Sequence, residues 1–189
     1  TISIATFSYY LNVGSTTAPV TATTYGGDLI IFNTGSGSVT GVLGAGTLSV
    51  GGSFRISNTT ATYTATLDNT VNNSNISVTG SLVVGTSGVT TTYGIFKPGT
   101  GTIAINGDVI VYASDASGDN KIDSTGVNTP WTITGNVTLS DYWVAGSSTI
   151  SVGGNWDSSA GTFTYGTSTV TMTAFGGNKT ITTPTSGNG

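Results

Sequence analysis

The chain has 189 residues, a net charge of −4 and only 6% charged residues, against about 25% in an ordinary soluble domain. With no His and no Cys, it lacks the parts of a Ser–His or Cys–His nucleophile and of a disulfide framework, and its four bases give no electrostatic footprint for nucleic acid. The 36% hydrophobic content and positive mean hydropathy argue for an ordered chain, since disorder goes with low hydrophobicity and high charge, and the length suits one domain. Thr is the commonest residue, at 39 copies. Its branched Cβ suits a pleated strand and loses rotamer freedom in a helix. No stretch has apolar residues at helical spacing between caps, so the chain reads as all-β.

Taken in chain order, the opening Thr1-Ile2-Ser3-Ile4-Ala5-Thr6-Phe7 alternates apolar and polar residues. Residues 1–13 are expected to act as an exposed assembly strand, with Ile2, Ile4 and Phe7 at an interface. The start at Thr1 shows no basic or apolar leader, the form expected of a secreted chain whose signal has been removed. No apolar run is long enough to span a bilayer.

A nine-residue pattern then recurs: apolar, x, apolar, x, Gly, small polar, apolar, x, apolar. A weak copy covers Tyr25-Gly-Gly27-Asp28-Leu29-Ile-Ile31, and clearer copies follow at Leu48–Ile56, Ile76–Val84, Ile103–Val111 and Trp131–Leu139. A sixth, Ile150-Ser-Val152-Gly-Gly154-Asn155-Trp156, loses its last apolar position to Ser158. The central glycines are Gly27, Gly52, Gly80, Gly107, Gly135 and Gly154, spaced by 25, 28, 27, 28 and 19 residues. Such a period suits one coil of a solenoid. The expected fold is a right-handed parallel β-solenoid of about six to seven coils, forming a single domain over residues 1–189. In it the glycines would stack in one column at a bend that a Cβ obstructs. The Asp, Ser or Asn after each would bond its own backbone at the corner. The alternative is a β-sandwich or jelly roll with a donated N-terminal strand, since these folds also have short strands between turn signals.

Residues 114–130 are expected to be a loop inserted between coils, and 184–189 a flexible tail. Within the loop, Asp115, Ser117, Asp119 and Asp123 place oxygens at positions 1, 3, 5 and 9, the spacing with which a tight turn wraps Ca²⁺. Asn120 stands where such a loop carries Gly, and Gly126 where it carries a bidentate Glu. Sequons occur at Asn58, Asn72, Asn75, Asn136 and Asn178, no more than the composition produces by chance; Asn72 and Asn75 are expected to be accessible and Asn136 structural. Tyr142 and Trp143 read as an exposed pair for an interface or glycan contact, while Trp131 and Trp156 fall on inward columns. Asp108, Asp141 and Arg55 lack neighbours in sequence to make a catalytic pair and read as structural. Irregular Thr-x-Thr runs such as Thr169-Val-Thr171-Met-Thr173 read as the outward face of strands.

The stretch Ser151–Trp156, with Gly161-Thr162-Phe163-Thr164 and Ser168–Met172, resembles the degenerate repeats of bacterial surface proteins. These are parallel β-helix stalks of filamentous-haemagglutinin-like and autotransporter-passenger-like adhesins. The resemblance is clearest over 130–183 and implies a cell-surface β-helix without functional residues. A solenoid has two open ends that pair with matching edges unless capped. The expected function is therefore a non-enzymatic structural subunit of an extracellular filament, tube or sheath. It would polymerise with itself by edge stacking or strand donation; a surface adhesin or glycan-binding fragment is the alternative.

Overall fold

The structure is a computed structural model and describes residues 8–12, 18–35, 37–58, 63–115, 119–173 and 177–184. Ile2, Ile4, Phe7 and Ser117 lie outside the described residues. The described chain is all-β and forms a parallel β-solenoid of three sheets. The first sheet has eight strands: Tyr9–Asn12, Leu29–Phe32, Phe54–Ile56, Leu82–Val84, Val109–Val111, Val137–Leu139, Trp156–Asp157 and Ile181–Thr182. The second has seven: Ala18–Val20, Val39–Leu43, Thr64–Asp68, Tyr93–Lys97, Lys121–Asp123, Tyr142–Val144 and Thr162–Thr164. The third also has seven: Thr24–Tyr25, Thr47–Val50, Asn75–Val78, Ile103–Ile105, Pro130–Ile133, Thr149–Val152 and Thr169–Met172. Each turn of chain visits the third sheet, then the first, then the second. All pairings between these strands are parallel, which excludes the antiparallel sandwich.

Period-2 alternation explains the core. In the first sheet Leu29 and Ile31, Phe54 and Ile56, Val109 and Val111 point inward, and the residue between them faces out. The third sheet contributes Leu48 and Val50, Ile76 and Val78, Ile103 and Ile105. Each fully buried aliphatic side chain of this kind contributes roughly 1.5–3 kcal/mol. Rings run along the axis toward the C-terminal end. Phe54 meets Phe96 at 6.4 Å, Phe96 meets Trp131 at 6.1 Å, Trp131 meets Trp143 at 5.0 Å, and Trp143 stacks on Trp156 at 5.7 Å.

The corner between the third and first sheets holds the glycine column. The N–H of each corner glycine donates to the carbonyl of the one before it, from Gly52 on Gly27 (3.0 Å) to Gly154 on Gly135 (2.8 Å). The reason for glycine is contact between coils, because these residues are not among the positive-φ glycines. A Cβ on Gly80 would lie 2.7 Å from the Gly52 carbonyl oxygen, and one on Gly107 2.6 Å from that of Gly80. The following polar residue also differs from expectation: it bonds the next coil, not its own backbone. Asp28 Oδ1 accepts from Ser53 N–H (2.7 Å), Ser81 Oγ from Asp108 N–H (3.0 Å), Asp108 Oδ1 from Asn136 N–H (2.7 Å) and Asn136 Oδ1 from Asn155 N–H (2.8 Å). A side-chain ladder thus runs beside the backbone ladder and fixes the register of successive coils.

Two segments differ in extent from the sequence reading. Residues 114–130 are not a loop throughout, because Lys121–Asp123 is a strand of the second sheet with Ile122 in the core. One apolar residue between two charged ones is too short a pattern to show this. Within 1–13, Tyr9–Asn12 pairs with Leu29–Phe32 of its own chain.

Candidate functional site

Thr162–Thr164, Thr169–Met172 and Ile181–Thr182 are the last strands of the three sheets, and each has a strand neighbour on one side only among the described residues. Their inward residues are correspondingly less covered than those of earlier coils. Phe163, Val170 and Met172 pack against the core while only partly buried, and Ile181 is 60% exposed. Between them opens a cleft of about 300 Å³ lined by Trp156, Phe163, Tyr165, Val170, Ile181 and Pro184. Its floor is a fixed aromatic group, with Phe163 edge-on to Trp156 at 4.8 Å and to Trp143 at 6.1 Å. Ser158, where the sixth repeat loses its apolar residue, also lines the cleft. It is buried, accepts from the Trp156 indole N–H (3.2 Å) and donates to the Thr182 carbonyl (3.3 Å). The hydroxyl is thereby committed, and the cleft offers apolar contact beside free strand edges.

The opposite end begins with Tyr9–Asn12, Ala18–Val20 and Thr24–Tyr25. Tyr10 is 64% exposed and leans edge-on against Phe32 at 5.9 Å, and Tyr9 meets Tyr25 at 5.2 Å. Leu11 and Ala22 are partly buried there against the core. Both ends therefore show apolar side chains next to strands that, among the described residues, are paired on one side only.

The other sequence-derived candidates are placed as follows. Trp143 is fully buried in the aromatic column, which corrects the reading of Tyr142 and Trp143 as an exposed pair. Alternation along Tyr142–Val144 turns Tyr142 outward, at 41% exposure, and Trp143 inward. Trp131 and Trp156 are in the core. Asn58 is buried with Nδ2 on the Tyr63 carbonyl (2.5 Å), so the folded chain does not present it as a glycan acceptor. Asn72 is exposed but holds the Leu43 carbonyl (2.6 Å); Asn75 is exposed and accepts from Thr102. Asn136 belongs to the corner ladder and Asn178 is exposed.

The proposed calcium ligands are spread over separate contacts. Asp115 accepts from the Tyr93 hydroxyl (2.5 Å). Asp123 accepts from the Thr125 N–H (3.1 Å) and hydroxyl and lies 3.0 Å from Lys121 Nζ. Burial pushes the Asp123 carboxyl up, but the Thr125 and Lys121 contacts outweigh it and hold it below its ordinary range. Among the described residues no three acids come together as a metal group. Asp119 instead faces Asp141, a buried acid the sequence did not single out for its surroundings. One oxygen of Asp141 accepts from the Ser114 hydroxyl and N–H and from the Asn120 N–H (2.9 Å). Burial raises this carboxyl above its usual range, the hydrogen bonds from Ser114 and Asn120 oppose the rise, and the charge of Asp119 adds to it. Asp108 serves the corner ladder and Arg55 sits on an outward strand position. No family model, no curated protein and no solved structure matches this chain.

Proposed function

We propose that the chain is a structural subunit of an extracellular filament, tube or sheath, in which copies of the solenoid stack end to end. The observation that carries this reading is the last described coil: among the described residues its three strands have a neighbour on one side only, and they surround an apolar cleft with an aromatic floor. A row of free N–H and C=O groups is a template for another strand, and proteins that stay single cover it with charge, Pro or a helix. Here the edge strands Thr169–Met172 and Ile181–Thr182 carry no charged residue. The opposite end supplies matching parallel strands, so head-to-tail contact continues each sheet without a new geometry. This contact is heterologous and does not close on itself, which leads to a linear assembly. The extracellular setting rests on composition, a Thr-, Ser-, Gly- and Asn-rich chain with almost no Lys.

Sedimentation of the purified chain over a range of concentrations tests the reading. Concentration-dependent growth into elongated particles is expected. A chain that remains a monomer at high concentration contradicts it and favours a surface-binding fragment.

A further inference from the structure

We infer that the outer face of the first sheet docks on the same face of a second copy, about a two-fold axis through Ile110 that sets Arg55 of each copy on Asp157 of the other. The contact is lateral, so it goes beyond end-to-end stacking and does not depend on it.

The observation is one column of outward residues. In register it runs Tyr10, Ile30, Arg55, Val83 and Ile110, then Thr138, Asp157 and Thr182. Alternation along each strand turns these positions away from the core, yet the first half is apolar around a single cation. Tyr10 is 64% exposed, Ile30 and Ile110 are partly buried, and Val83 lies between Arg55 and Ile110 at 7% exposure. The other two outer faces differ. The third sheet presents hydroxyls, at Ser49, Ser77 and Thr132, and the second sheet presents charge, at Lys97, Lys121 and Asp123. Among the described residues neither Arg55 nor Asp157 takes part in an ion pair. Asp157 Oδ1 accepts from the N–H (3.0 Å) and hydroxyl (2.7 Å) of Ser159, which orients the exposed carboxylate and leaves Oδ2 for a partner.

Charge decides how two such faces meet. A face meets its own copy through a two-fold axis lying in the plane of contact. An axis along the solenoid sets every residue opposite itself, with Arg55 on Arg55 and Asp157 on Asp157, and like charges in contact oppose association. An axis along the strands reverses the column instead. Arg55 and Asp157 are four strand steps apart in register, about 19 Å, and Ile110 stands two steps from each. With the axis at Ile110, that residue meets itself, Val83 meets Thr138, and Arg55 meets Asp157 twice over. The contact then has an apolar centre and a charged rim, the usual anatomy of a protein interface. Sheets packed face to face lie about 10 Å apart, a gap that an Arg and an Asp reaching toward each other span.

Because the chain has no Cys, disulfide trapping tests this on the full chain. Ile110→Cys puts one thiol on the two-fold axis, where it links only to the same residue of another copy. Under mild oxidant a band of twice the chain mass is expected, absent from Thr132→Cys on the outer face of the third sheet. Arg55→Asp or Asp157→Arg, each added to Ile110→Cys, is expected to cut the cross-linked fraction at least tenfold, and both together to restore it. A cross-link that the single reversals leave unchanged, or that the double reversal fails to restore, overturns the inference. Sedimentation of the parent chain separates this contact from stacking. Particles that stop at two copies, with the cross-link formed, uphold the inference and contradict end-to-end growth. Growth into longer particles without the cross-link overturns the inference and leaves stacking standing, and a monomer without the cross-link overturns both.

Discussion

The corner glycines are the most constrained residues of the chain, and the constraint is steric. In Gly107 the missing Cβ is what lets the coil approach the Gly80 carbonyl, a backbone atom with no freedom to withdraw. Gly107→Ala is expected to cost about 2 kcal/mol or more, the penalty of overpacking. Gly26→Ala is the matched control, because nothing lies within 4 Å of a Cβ there; it should be within about 1 kcal/mol of the parent. Urea unfolding of the two variants checks this, and equal losses would contradict the contact. Asp141 gives a residue-scale expectation in pH. Its folded carboxyl is raised by burial, so in the window above its ordinary range the folded chain binds a proton that the unfolded chain does not. Its contribution to stability therefore grows as pH falls through that window. Asp141→Asn keeps one carbonyl oxygen for Ser114 and Asn120 and removes the buried charge. The variant should be more stable than the parent at neutral pH, with the advantage shrinking on acidification. A difference independent of pH, measured by urea unfolding at several pH values, would contradict this assignment.

At the scale of the element, alternation decides which side chains carry the sheets. Tyr142 and Trp143 are adjacent in sequence and opposite in role, one at the surface and one inside the aromatic column. Trp143→Ala is expected to cost about 3–5 kcal/mol, and Tyr142→Ala under about 0.5 kcal/mol; thermal unfolding distinguishes them. The parallel coil was legible because one corner repeats the same three features, an inward pair, a glycine and a small polar residue. The corner from the first to the second sheet was not, because the buried asparagines that serve it share no spacing: Asn33 and Asn58 hold the carbonyls of Gly37 and Tyr63 after them, whereas Asn120 holds Gly94 N–H and, behind it, the Tyr112 carbonyl. The strand Lys121–Asp123 was hidden because a three-residue strand with one inward side chain has no period to detect. Trp143 was misread because Asp141 before it suggested a strand end; that acid is buried and bonded to Ser114 and Asn120 across the chain. The exposed end of the solenoid was legible only as a consequence of the fold. Its cleft joins Trp156, Phe163, Val170 and Ile181 from all three sheets, a grouping that requires the coil count to be known.

For the whole molecule, backbone and side-chain ladders join successive coils of the solenoid, and among the described residues its first and last strands are paired on one side only. In the proposed assembly, strands lie across the filament and coils repeat along it. The measurement that tests this most directly is electron microscopy of the assembled chain with power spectra of straight segments. The expected result is a meridional reflection near 4.8 Å from stacked strands, with a subunit repeat of about 38 Å for eight layers at that spacing. Filaments lacking the meridional reflection, or single short particles at every concentration, would contradict end-to-end stacking of the solenoid.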